Sequence, residues 1–130
     1  MHINNFVSVR AVVIHARASF RAIDYQPNVA FILSLKKDQR NILNKIQSKI
    51  DEAIAFLVGK LYESPMLDRS SVSRINNFLK EIEPIEQRMT QIVELGDPAL
   101  SKEYADLARK LRDKFNDLVS VVSLYYGEVF

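Results

Sequence analysis

The side chains able to carry chemistry are few in this chain. It has two histidines, His2 and His15, and no cysteine. Arg10 lies five positions before His15. An arginine can stabilise phosphate charge and a histidine can move a proton, so the two together suit phosphodiester cleavage. Glu81, Glu83 and Glu86 are clustered. Glu83 and Glu86 sit one helical turn apart and can share a cation or solubilise a helix face. Lys36, Lys37, Arg40, Lys45 and Lys49 are also close in sequence. On a helix such a stripe binds phosphates without base specificity, although it lacks the interleaved aromatic residues that single-stranded nucleic acid stacks on.

The gaps in this inventory narrow the function classes. Without cysteine there is no disulfide, thiolate metal site or thiol nucleophile. A carboxylate-bridged di-metal bundle needs two Glu-x-x-His pairs, and the chain has none. No Gly-x-Gly-x-x-Gly or Gly-x-x-x-x-Gly-Lys loop is present to cradle phosphates. The expectation is a protein with no cofactor and no metal.

Arg10-Ala-Val-Val-Ile-His15 has the form Arg-x4-His. It resembles the active-site motif of the HEPN family, small helical ribonucleases that usually act as dimers. The resemblance implies an RNA substrate, with Arg10 on the phosphate and His15 moving the proton. It spans this one short motif. In the family the motif lies late in the bundle with a polar residue after the arginine, whereas here it lies early and Ala11 follows. On an ideal helix the two side chains diverge by about 140°.

The elements that must position these residues read as helices. From Asp38 to Glu63, apolar residues fall at Ile42, Leu43, Ile46, Ile50, Ala53, Ile54, Leu57 and Leu61. Steps of three and four put them on one helix face. Ser64-Pro65 ends this helix, and Ser70 or Ser71 suits the cap of the next. The next helix carries Val72, Ile75, Phe78, Leu79, Ile82, Ile85, Met89, Ile92 and Val93 at the same spacing, with Pro84 inside it. Gly96-Asp97-Pro98 combines a helix-ending glycine, an N-cap and a first-position proline. The last two helices are therefore antiparallel neighbours. Residues 3–23 allow two readings. As a helix, Phe6, Val9, Val13, Ala16 and Phe20 share a face beside a stripe of Arg10, Arg17 and Arg21. As a strand, Val7, Val9, Ala11 and Val13 share one. Pro27 breaks the chain, and the apolar run 29–35 is expected to be buried.

The chain of 130 residues, 48% hydrophobic and 26% charged, suits a single all-α domain. The expected architecture is an antiparallel bundle, four helices with an uncertain N-terminal element. That element has a break near Pro27, and helices follow at about 39–63, 71–94 and 98–126. Residues 1–27 can also be read as a separate arm, or as a targeting segment, Arg-rich and free of acids through residue 23. Charge is segregated: residues 1–23 carry three arginines and no acid, whereas Glu63 to Asp97 has four bases against seven acids. The C-terminal run from Leu118 to Phe130 is apolar nearly all round. The functional expectation is a non-catalytic interaction or scaffold module. It would bind a protein partner, or a second copy in a homo-oligomer, through Val122, Tyr125, Tyr126, Val129 and Phe130 together with Arg10, Arg17 and Arg21. Nucleic acid is the alternative partner. No apolar run is long enough to span a membrane. The cytoplasm is the expected compartment, or an organelle if residues 1–23 direct import.

Overall fold

A computed structural model describes residues 8–130. Among the described residues six α-helices form: α1 Val9–Ile23, α2 Gln26–Leu33, α3 Lys37–Arg40, α4 Ile42–Tyr62, α5 Arg69–Leu95 and α6 Ser101–Tyr126. No strand occurs among the described residues, so for residues 8–23 the helical reading is the correct one. Residues 3–7, including Phe6 and Val7, lie outside the described part. The helix count exceeds the expected four because residues 24–41 fold into two short extra helices.

The local signals explain most boundaries. The Ser8 hydroxyl accepts from the Ala11 amide and starts α1. Pro27 occupies the first turn of α2, where its missing N–H leaves no bond unmade. Asp68, rather than Ser70 or Ser71, caps α5: its carboxylate accepts from the Ser71 amide at 2.7 Å. The α5 helix continues through Pro84 to Leu95. Gly96 ends it in the left-handed region, φ 61°. Asp97 then accepts from the Ala99 amide, and Pro98–Leu100 makes a single 3₁₀ turn into α6.

Four long helices run alternately up and down. Arg88 on α5 meets Glu103 near the start of α6, while Ser71 at the start of α5 meets Tyr125 at the end of α6. Gln47 near the start of α4 reaches Glu86 late in α5. Asp24, just after α1, holds Arg109 and Arg112 of α6, and Arg10 reaches Glu128 beyond the end of α6. Around the bundle the order is therefore α1, α4, α5, α6. The parallel pair α4 and α6 also touches, and at the C-terminal ends of the two helices the Tyr126 hydroxyl donates to the Lys60 carbonyl. Helix α2 packs on α6 and on the 3₁₀ turn, closing one end.

The core joins Val13, Phe20, Ile50, Leu57, Ile75, Met89, Ile92, Tyr104, Leu111 and Phe115 in one cluster, with the Phe20 and Phe115 rings 5.4 Å apart. Each such side chain contributes about 1.5–3 kcal/mol by leaving water. Helix α1 supplies four buried residues, Val13, Ala16, Phe20 and Ile23, and is built into this core. The run 29–35 is only partly buried: Val29 and Leu33 face inward, whereas Phe31 is exposed. An eight-residue helix covering one end can turn only one side to the core. No described helix is long and apolar enough to cross a membrane.

Candidate functional site

The C-terminal residues separate into two groups. Val122 is in the core and takes no part in any surface. Tyr125 is half-buried; its hydroxyl donates to Ser71 Oγ at 2.8 Å and accepts from the Asp68 amide at 3.3 Å. It fastens the end of α6 to the start of α5. Beyond it, Gly127 turns the chain with φ 64°. Glu128 and Phe130 fold back onto α1, where Arg10 lies 3.5 Å from the Glu128 carboxylate and 5.7 Å from the Phe130 ring centre. Tyr126, Val129 and Leu124 remain exposed. Tyr62 and Met66, at the end of α4 and in the loop after it, are exposed at the same end of the bundle.

Arg10 and His15 are not brought together. Arg10 lines a cleft at the C-terminal end with Val9, Lys60, Tyr126 and Phe130. His15 lines a separate groove of about 700 Å³ between α1 and α4, with Val12, Ala16, Ile46 and Phe56. The cause is the angular divergence of positions five apart on a regular helix. The remaining arginines of the stripe, Arg17 and Arg21, line a cleft of about 170 Å³ against α6 with Asp24, Arg112 and Asn116. Asp24 binds Arg109 at 3.1 Å and Arg112 at 3.3 Å. Among the described residues Arg17 and Arg21 have no carboxylate partner. They do not pair with the acidic third quarter within the fold, because α1 and α5 lie diagonally across the bundle.

The basic residues between Lys36 and Lys49 do not form one stripe. Lys36 precedes α3, Lys37 and Arg40 belong to it, and Lys45 and Lys49 belong to α4 beyond Asn41. Arg40 is half-buried and structural: its guanidinium donates to the Val93 carbonyl at 2.6 Å and the Glu94 carbonyl at 3.0 Å, completing the end of α5. Gly96 makes room for it, since a Cβ there would lie 2.7 Å from the guanidinium carbon. Lys37 pairs with Glu94 at 3.1 Å, and Lys49 lines the α1–α4 groove. Lys36 and Lys45 are exposed.

The α4–α5 seam holds a constellation that the periodicity did not single out. Gln47, Asp51, Glu83, Glu86, Gln87 and Thr90 line an open groove of about 520 Å³ without a single base. The Gln47 amide donates to the Glu86 carbonyl at 3.3 Å and to its carboxylate at 3.4 Å. Gln47 is only 6% exposed, and its Oε1 has no partner. Burial, reinforced by the adjacent Asp51 carboxylate, pushes the Glu86 carboxyl up to about 8. Glu86 therefore keeps its proton at neutral pH. A signal existed in the sequence: Gln47 stands four residues after Leu43 and three before Ile50, which is a core position filled by an amide. The expected Glu83–Glu86 pair is thus half of a larger group, and its partner comes from another helix. No group of three or more histidine, aspartate or glutamate side chains among the described residues is arranged to hold a metal ion.

No protein-family model, curated protein or solved structure matches this chain.

Proposed function

We propose that this protein is a non-catalytic helical module that docks a protein partner on the end of the bundle formed by the close of α4, the following loop and the C-terminus. One observation carries the reading. Among the described residues the three most exposed large hydrophobic side chains are Val129 at 90%, Met66 at 78% and Leu124 at 72%, and all three lie at this end, as do the exposed Tyr62 and Tyr126. Apolar groups concentrated at one place on a surface mark an interaction site, whereas scattered ones do not. The Tyr126 hydroxyl is bonded to the Lys60 carbonyl, which holds its exposed ring in place at this end. The folded-back Glu128 and Phe130 hold this surface in place through Arg10.

The test is affinity capture from the native cells with the wild-type chain and with Leu124→Asp/Val129→Asp. Both substituted residues are exposed, so the helical circular dichroism signal is expected to persist. A partner present in stoichiometric amount is expected to be lost from the variant. Retention of that partner would remove this end of the bundle as the docking surface.

A further inference from the structure

The side faces of the bundle carry a second feature that the docking end does not use. Helices α1 and α6 form one seam and α4 and α5 the seam opposite it, given the order α1, α4, α5, α6 around the bundle. The first seam presents Arg17, Arg21 and Arg112 around a single lining carboxylate, Asp24, which Arg109 and Arg112 already occupy. The second presents Asp51, Glu83 and Glu86 with two amides and a threonine, and no base. Arg17 and Arg21 lack a carboxylate partner among the described residues, and Asp51 forms no salt bridge among them. Both groups lie in the same half of the bundle's length, since the end of α1 and the start of α4 are neighbours at one end.

We propose that the acidic α4–α5 seam of one copy receives the Arg17 and Arg21 guanidiniums of a second copy, so that the chain associates side by side. Guanidinium forks match paired carboxylates in geometry and stay charged at every relevant pH. The unmatched charge of each seam is what the other seam supplies. Burial first, and the Asp51 carboxylate second, keep a proton on Glu86, and a guanidinium beside the two carboxyls offsets the second of these causes. The two patches lie on different faces, so the contact is heterologous, and an associated pair keeps one free patch of each sign, the acidic one on one copy and the basic one on the other. This reading goes beyond the docking end and fails or stands separately from it.

Sedimentation velocity of the intact protein decides the matter. In about 0.01 M salt the screening length is about 30 Å, and in about 1 M salt about 3 Å. The wild-type chain is expected to associate in the first and to be monomeric in the second. Arg17→Glu/Arg21→Glu alone and Asp51→Lys/Glu83→Lys alone are each expected to be monomeric in low salt, because each juxtaposes like charges. An equimolar mixture of the two is expected to associate again. The milder Arg17→Gln/Arg21→Gln is expected to weaken association at least about tenfold while leaving the circular dichroism unchanged. A wild-type chain that stays monomeric in low salt overturns the proposal. So does association that survives in both charge variants, and if Leu124→Asp/Val129→Asp then abolishes it, the copies meet through the C-terminal end instead.

Discussion

Helix α5 is held on its two sides by opposite means. Towards α6 the polar contacts are complementary. Arg88 clasps Glu103 with Nη2 at 2.8 Å, Lys114 reaches Glu81 at 2.6 Å, and the Tyr125 hydroxyl bridges Ser71 and the Asp68 amide. These contacts hold the Glu103 carboxyl below the usual carboxylate range and raise the Lys114 ammonium. Towards α4 the contact runs through a buried amide and two carboxyls that repel unless one is protonated. A single helix thus has one seam whose charged groups prefer their charged state and one whose acid prefers to be neutral. The difference shows that charge on a helix face says little until the facing helix is known.

The strongest way to break the comparison is to remove what both seams share. Met89 is fully buried on the inner side of α5. Met89→Ala is expected to lower stability by about 2–5 kcal/mol in chemical denaturation. Gly96→Ala acts only at the end of α5, where the left-handed backbone and the Arg40 guanidinium both exclude a side chain. A loss of about 1–2 kcal/mol is expected.

Glu86→Gln sharpens the comparison and has the opposite sign. The folded protein holds the Glu86 proton up to about 8, whereas the unfolded chain releases it in the ordinary carboxylate range. Between those limits the folded state binds more protons, so stability falls as pH rises. Glutamine removes that fall. The variant is expected to be more stable than the wild type at a pH of about 8, by an amount of order 1 kcal/mol once solvent screening is allowed for. Thermal unfolding across this range checks it, and a pH profile identical to that of the wild type would contradict it. The smallest effect belongs to the exposed ion pairs. Arg88→Ala is expected to lower the melting temperature slightly in low salt and still less in about 1 M salt. For Asp68 and Glu103, whose carboxyls are depressed by the Ser71 amide and by Arg88, the stabilisation is lost as pH falls through their folded values.

Much of this architecture was legible from spacing alone. The apolar faces of α4, α5 and α6 follow steps of three and four, and most of the core residues on these helices come from those positions. The Gly96-Asp97-Pro98 turn was readable because each residue has a backbone preference of its own. Asp68 was missed as a cap because two serines follow it, and local sequence does not choose among three good caps. The two helices of residues 24–41 were blurred because their apolar run has no periodicity. The surfaces were less legible. Val122 and Leu124 are similar residues two apart in one run, and only the fold puts one in the core and the other in water. The Asp51–Glu86 contact joins residues 35 positions apart on different helices, which no local pattern encodes.

The tight turn at Gly96 also bears on how the chain reaches this structure. It leaves α5 and α6, the two longest helices, separated by very few residues. Closing so short a connection loses little chain entropy, whereas bringing α1 onto α6 closes a loop of most of the chain. The α5–α6 hairpin is therefore the natural nucleus, and α1 docks on it late. Substitutions in the hairpin interior are expected to slow folding, while those at Val13 or Phe20 in α1 are expected chiefly to speed unfolding. The chain is thus expected to assemble from its C-terminal half backwards.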